Sequence, residues 1–183
     1  MTAGWSNFYY LIGSAAAGLI GLLFVVVSFA SGRNRQQTLR GIGLYLTPTI
    51  LHFAAVFATS AVTQAPDLSA DETAALVILI ALAGVACCLR SALGILRSPP
   101  GMGPPHWSDF WLYAGAPAGL YVTLGVAALG LTTDWAWSPK VMAGSLLILL
   151  LLAIRDAWDT VTWIAAAPSN DSKDTGDLDD HAR

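Results

Sequence analysis

Charged side chains are scarce in this chain. Only 11% of its 183 residues are Asp, Glu, Lys or Arg, whereas 55% are hydrophobic. A typical soluble domain contains roughly 25% charged residues. The shortage of charge excludes an ordinary soluble domain and predicts an integral membrane protein whose surroundings are the lipid bilayer.

Residues that hold cofactors, metals or nucleic acids are equally few. The three histidines are His52, His106 and His181, and the two cysteines, Cys87 and Cys88, are adjacent. The cysteines do not have the spacing of a zinc site or a disulfide framework. Only His52 lies within a long hydrophobic run, so a haem held by two histidines is not expected. The sequence therefore predicts no cofactor and no metal. It also has no basic stripe, so it predicts no nucleic-acid partner.

Common catalytic motifs are missing from the sequence. It contains no HExxH, GxSxG or GxGxxG pattern, and these patterns identify zinc proteases, hydrolases and dinucleotide-binding enzymes. An intramembrane enzyme that uses dispersed Asp, His and Tyr is therefore the weakest functional interpretation, and we expect a protein without catalytic activity.

Five long hydrophobic runs follow one another along the chain. A helix needs about 20 mostly apolar residues to cross roughly 30 Å of hydrocarbon. The runs predict transmembrane helices over residues 8–31, 39–63, 73–96, 110–132 and 141–166. The predicted fold is an all-α, polytopic helical bundle over residues 1–167. An acidic tail, residues 168–183, follows it and has the composition of a disordered segment.

Basic residues are distributed unevenly among the predicted loops. Arg33, Arg35 and Arg40 lie in or beside the first loop, and Arg90 and Arg97 flank the third, whereas the second loop carries only acidic charge. Cytoplasmic loops are enriched in Lys and Arg. The N-terminus is therefore predicted outside and the C-terminus in the cytoplasm. The overall pattern favours a multi-pass protein of the bacterial inner membrane.

A polar stripe runs along the second predicted helix. Tyr45, Thr49, His52, Thr59 and Thr63 recur at spacings of three, four or seven, which places them on one face. One interpretation is a face that lines a water-filled path, with His52 as its titratable element. The alternative, which the sequence favours, is a seam between helices, since Thr and Ser commonly hydrogen-bond across membrane helices.

Ionisable side chains interrupt the last hydrophobic run. Arg155, Asp156 and Asp159 follow a leucine-rich segment directly. Charges at membrane depth are costly and identify a candidate functional site whose partner should be named. Counted at about 1.5 Å per residue, Arg90 on the third predicted helix reaches the same depth. We therefore predict a neutral network in which Arg90 pairs with Asp156 and Arg155 with Asp159, joining the third helix to the fifth.

Small and aromatic residues on other helices predict packing surfaces. The first predicted helix has a seam of small residues suited to another helix of the same protomer or of another copy: Ser14, Ala17, Gly18, Gly21 and Ser28. On the fourth predicted helix, Tyr113, Pro117 and Tyr121 recur every four residues, and we favour packing over a substrate site for them.

Two functional hypotheses follow from these features. The first is a small oligomeric channel or transporter for an ion or small solute, with the polar stripe as its path and other copies of the chain as its partners. The second is a non-catalytic adaptor or regulator that binds another membrane protein. The proline-rich third loop, the acidic tail and the absence of catalytic motifs favour the second hypothesis.

Overall fold

The computed structural model describes residues 3–30, 47–96 and 111–166. Within these ranges the chain is all-α, as predicted. Its five α-helices are α1 (Ser6–Ala30), α2 (Thr47–Gln64), α3 (Ala70–Leu96), α4 (Ala116–Thr132) and α5 (Ser138–Ala166). The first and third predicted loops and the acidic tail lie outside the described residues.

Three of the described helices are long and apolar enough to cross a membrane. They are α1, α3 and α5, with qualifying segments at Ser6–Ser28, Ala70–Gly94 and Ser138–Thr162. Helix α2 is less apolar because it carries the polar stripe, and α4 is a shorter apolar helix. The prediction of long apolar helices is thus confirmed for three of the five predicted spans.

Helix α4 begins differently from the continuous helix predicted over residues 110–132. A π-helical turn, Trp111–Gly115, precedes it, and Pro117 is the second residue of α4. Proline lacks a backbone N–H and is tolerated in a first helical turn, where that group has no carbonyl partner within the helix. Trp111 lies over Gly115, where a Cβ atom would come within 2.8 Å of the indole ring.

Short connections make α2 antiparallel to α3 and α4 antiparallel to α5. Between α2 and α3, Asp67 adopts a left-handed conformation with φ of 63°, and Ser69 and Glu72 form a capping box. Between α4 and α5, Asp134 has φ of 53°, and the Ser138 hydroxyl donates to the Ala127 carbonyl at 2.5 Å. Each connection brings the end of one helix beside the start of the next.

Packing between helices is selective. Helix α2 packs against α1, α3 and α5, and α4 packs against α3 and α5. Helix α1 also contacts α5, where the Tyr9 hydroxyl donates to the Pro139 carbonyl at 3.3 Å. Over their described residues, α3 and α5 do not form a packed pair. Helix α2 therefore has packed neighbours on several sides.

Helices α3 and α5 each bury a stripe whose members recur at spacings of three or four residues. On α5 the buried stripe consists of Met142, Leu146, Leu149, Ala153 and Asp156. On α3 it includes Ala74, Val77, Ala81, Gly84 and Cys88. Asp156 is thus a carboxylic acid on a buried face of α5 whose other members are apolar.

Candidate functional site

His52 lies inside the bundle and contacts another helix through a hydrogen bond. Its side chain on α2 is buried, and a bond of 2.8 Å joins its Nδ1 atom to the hydroxyl oxygen of Tyr121 on α4. The centroids of the two rings are 5.6 Å apart. By helical rise, His52 is about 18 Å and Tyr121 about 16 Å from the ends of their helices at Gln64 and Thr132. The two side chains therefore meet near mid-height.

Gly84 on α3 provides the space that Tyr121 occupies. A Cβ atom built at Gly84 would overlap the Tyr121 ring. A turn of α4 further on, Gly125 faces Ala81, and the pair again brings a small residue of one helix beside the other. Close approach of α3 and α4 at these small residues fixes the height at which the Tyr121 hydroxyl reaches His52.

The other members of the polar stripe are also buried. Thr49, Thr59 and Thr63 all face the interior, together with Ser60, while Tyr45 lies outside the described residues. The Thr63 hydroxyl donates to the Ser60 carbonyl at 2.9 Å. The Thr59 and Ser60 hydroxyls have no hydrogen-bond partner among the described residues. Interior hydroxyls without partners destabilise a fold, so the stripe is not explained by stability alone.

Neighbouring helices cover the stripe. Ser60 lies against Gly13 of α1, where a Cβ atom would approach the Ser60 Cβ to 2.8 Å. At the same end of the bundle, the Ser6 hydroxyl of α1 donates to the Gln64 side-chain oxygen at 3.1 Å. With the helices in these positions, α1 packs against the stripe at Ser60 and against the end of α2 at Gln64.

The charged cluster of α5 divides between the interior and the surface. Asp156 is 2% exposed, whereas the side chains of Arg155 and Asp159 are 43% and 42% exposed. Arg155 lies 3.4 Å from an Asp156 carboxylate oxygen and 3.3 Å from an Asp159 oxygen. The predicted pairing of Arg155 with Asp159 on one helix is present in this geometry.

The predicted contact between Arg90 and Asp156 is not formed within the described residues. Arg90 is exposed on α3, and the ion pairs within residues 3–30, 47–96 and 111–166 join side chains of α5 to one another. The physical reason is the neighbour relation of the helices, because α3 packs against α2 and α4 rather than α5. Equal depth was a necessary condition for this pair but not a sufficient one.

The cysteines lie on α3, apart from any cluster of metal-ligating side chains among the described residues. Cys88 is buried on α3, one turn beyond Gly84, and Cys87 is partly buried. No group of three or more His, Cys, Asp or Glu side chains in the described part of the chain could hold a metal ion. The site therefore consists of the His52–Tyr121 pair, the hydroxyls of α2 and the carboxylate of Asp156.

Tyr121 is the site residue whose role the sequence did not reveal. Its spacing on α4 predicts a packing residue, and in the structure its ring is buried while its hydroxyl is hydrogen-bonded to His52. A comparison of depth could have suggested the contact, since the two residues lie at similar distances from the same end of the bundle.

The chain matches no protein-family model, no curated protein and no solved structure.

Proposed function

We propose that the chain is a five-span protein of the bacterial inner membrane, with its N-terminus outside and its C-terminus in the cytoplasm. The length of α1, α3 and α5 supports this proposal, as does the antiparallel order of the helices. Near the proposed outer surface, Lys140 lies 4.6 Å from the centre of the Trp137 ring, and both residues are exposed. Trp and Lys are common anchors at the membrane interface.

We further propose that the protein moves protons, or a small ion together with protons, across this membrane. The observation that carries the proposal is the hydrogen bond between His52 and Tyr121 near mid-height. An imidazole can accept and release a proton near neutral pH, and a phenol hydroxyl can pass one on. Ionisable side chains inside membrane bundles are characteristic of proton and ion pathways.

The order of polar groups along the bundle supports the same function. From the end of α2 at Gln64, Thr59 lies about 8 Å inward, His52 about 18 Å and Thr49 about 22 Å. On α5, Asp156 lies about 27 Å from Ser138, towards the opposite end. A succession of hydroxyl, imidazole, phenol and carboxylate groups thus extends through the interior.

The burial of these groups favours the proton over a larger solute. His52, Thr59 and Tyr121 are almost fully enclosed by other side chains. A solute needs an open path of its own diameter, whereas a proton moves between hydrogen-bonding groups after small movements of side chains and water. Transport in this proposal requires α1 or α4 to move slightly from α2, so that the groups become connected.

Proton flux into proteoliposomes tests the proposal. Purified protein is reconstituted with a pH-sensitive dye inside, and a potassium gradient with valinomycin supplies the driving potential. We expect the unsubstituted protein to acidify the lumen and the His52→Gln and Tyr121→Phe variants to lose most of that rate. Tyr10→Phe is the matched control, because Tyr10 is 74% exposed on α1. Absence of flux by the unsubstituted protein for protons, Na⁺, K⁺ and Cl⁻ would contradict the proposal.

A second candidate function, binding of another membrane protein, is supported by the surface of α1. All five residues of its small-residue seam are exposed, and Cβ atoms at Gly18 and Gly21 would meet nothing within 4 Å. Small residues let a second helix approach closely. Under this alternative the protein gives no flux, and a stoichiometric membrane partner dissociates when Gly18 is changed to Leu but remains with Gly119→Leu on α4.

A further inference from the structure

Helix α1 packs on α2 without taking part in the contact between His52 and Tyr121. That contact joins α2 to α4, and α2 also has α3 and α5 as packed neighbours. Helix α1 itself packs against α2 and α5. A displacement of α1 from α2 would therefore leave the His52–Tyr121 pair and its surrounding helices in place.

Two hydrogen bonds join α1 to α2 at the end of the bundle that we propose faces outside. The Ser6 hydroxyl donates to the Gln64 side-chain oxygen at 3.1 Å, and the Gln64 side-chain nitrogen donates to the Ser6 carbonyl. Both residues are exposed, so water can replace either bond at a small net cost. We call this reciprocal pair of bonds the outer clamp.

A buried hydroxyl without a partner lies directly inside the outer clamp. Ser60 is one turn of α2 from Gln64, about 6 Å by helical rise. It is 3% exposed, and its hydroxyl has no hydrogen-bond partner among the described residues. The residue that faces it on α1 is Gly13. Helix α1 thus covers a polar group that would gain hydrogen bonds to water if α1 moved away.

We propose that α1 is the outer gate of the proton path. When the outer clamp opens, the first turns of α1 move away from α2 and water reaches the hydroxyls of Ser60 and Thr59. The Thr59 hydroxyl is also buried without a partner among the described residues, and His52 lies about 11 Å further along the same stripe. Water at these hydroxyls continues the line of hydrogen-bonding groups from the outer surface towards His52. This inference rests on the proton transport proposed above and names how that transport is regulated.

The balance of interactions explains why such a gate can open. In the closed arrangement, α1 and α2 are joined at this end by exposed hydrogen bonds, and two interior hydroxyls are unsatisfied. In the open arrangement, water satisfies all of these groups. Gly13 has no side chain, so its contact with Ser60 buries little apolar surface and is lost at little cost. Unsatisfied hydroxyls that become hydrated on opening shift the equilibrium towards the open state.

Thiol labelling measures whether the outer clamp controls access to Ser60. Ser60→Cys is treated in lipid nanodiscs with a charged methanethiosulfonate reagent, and the unsubstituted chain gives the background from Cys87 and Cys88. We expect slow labelling that becomes about tenfold faster when Gln64→Ala is added, which corresponds to the loss of roughly one net hydrogen bond. Thr59→Cys is measured in the same way, so that the test does not depend on one buried substitution.

Ser69→Ala is the matched control for Gln64→Ala. Ser69 is exposed at the same end of the bundle, and its hydroxyl bonds to Glu72 within the connection to α3, without contact to α1. We expect Ser69→Ala to leave the labelling rate unchanged. Equal acceleration by the two substitutions, or no acceleration by Gln64→Ala, would overturn the gate.

A reversible lock across the clamp tests its effect on transport. Ser6→Cys and Gln64→Cys are combined in one chain and joined by a short bifunctional methanethiosulfonate reagent, whose bonds a reductant cleaves. We expect proton flux into proteoliposomes to fall to near background when the cross-link forms and to return after reduction. Each single variant, treated identically, should keep its flux.

The outcomes separate the gate from the transport proposal. Undiminished flux in a chain shown by mass spectrometry to be cross-linked would overturn the gate and leave transport in place. Absence of flux in every chain, the unsubstituted one included, would remove the transport function. In that case the labelling rates still decide whether opening of the outer clamp exposes Ser60 to water.

Discussion

Two polar regions of the bundle differ in how far their side chains are buried and in which helices supply their partners. At mid-height, His52 and Tyr121 are both enclosed and satisfy each other through one hydrogen bond between different helices. Nearer the C-terminal end of α5, Arg155 and Asp159 are partly exposed and pair along a single helix, whereas Asp156 is buried. The first region connects helices, whereas the second is organised within one helix.

The difference shows which region the fold depends on. A hydrogen bond between helices requires both backbones to hold their positions, and Gly84 provides the space that makes this one fit. Pairs of charges four residues apart form on almost any helix and contribute little at exposed positions. We therefore expect changes at the His52–Tyr121 contact to affect stability more than changes in the charged cluster.

The largest effect is expected from Gly84→Ala. Its added methyl group would overlap the Tyr121 ring, and overpacking of this kind destabilises by about 1–3 kcal/mol. Thermal unfolding in detergent should show a clear decrease in Tm. Gly119→Ala is the control, because its Cβ would meet nothing within 4 Å. If Gly84→Ala is as damaging in a Tyr121→Leu background, the methyl group acts on something other than the ring.

Tyr121→Phe should have the next largest effect. The substitution keeps the ring and leaves the buried Nδ1 atom of His52 without its partner, which costs about 1–3 kcal/mol in protein interiors. A double-mutant cycle with His52→Leu should show strong coupling in Tm or in denaturant unfolding. Additive losses would mean that the hydrogen bond contributes nothing. Tyr10→Phe at the surface of α1 should leave stability unchanged.

Asp156→Leu should be neutral or stabilising by about 1 kcal/mol, since well-packed apolar replacements of buried ionic groups often are. The position continues an apolar stripe, and Arg155 keeps Asp159 as a neighbour. Proton flux should fall at the same time, because the carboxylate is the proposed inner group of the pathway. A marked decrease in Tm would show that Asp156 stabilises the bundle and would weaken the contrast between the two regions.

The smallest effect is expected from Thr59→Val. The buried Thr59 hydroxyl has no partner among the described residues, so removing it at nearly constant volume should raise stability by up to about 1 kcal/mol. Thr123→Val is the matched control, since that exposed hydroxyl donates to the Gly119 carbonyl of its own helix. A gain in Tm together with lower flux would mark Thr59 as a residue retained for function. A loss in Tm would show an unrecognised structural contact.

Local pattern was enough to predict much of this arrangement. The hydrophobic runs predicted helices that the structure describes, and the three-and-four spacing predicted that Thr49, His52, Thr59 and Thr63 share a face, which is buried. The pairing of Arg155 with Asp159 followed from their separation of one turn. Each of these features depends on residues of one helix, whose geometry is fixed by backbone hydrogen bonds.

Contacts between helices could not be predicted in the same way. Depth along a helix gives the height of a side chain but neither its direction nor its neighbour, so Arg90 was matched to Asp156 although α3 and α5 do not pack together. Similar depth makes a contact between His52 and Tyr121 possible, but depth alone does not identify it. Small residues such as Gly84 decide which side chains meet, because they set how closely two helices approach.

The sequence by itself determined an all-α chain with long apolar helices, a polar face on α2 and a charged segment on α5. It did so because helical periodicity and hydrophobicity act over neighbouring residues. The tertiary structure decided that His52 meets Tyr121, and that Asp156 is buried while Arg155 is not. These outcomes depend on which helices are neighbours and on how each is rotated, and only the packing of the whole bundle fixes both.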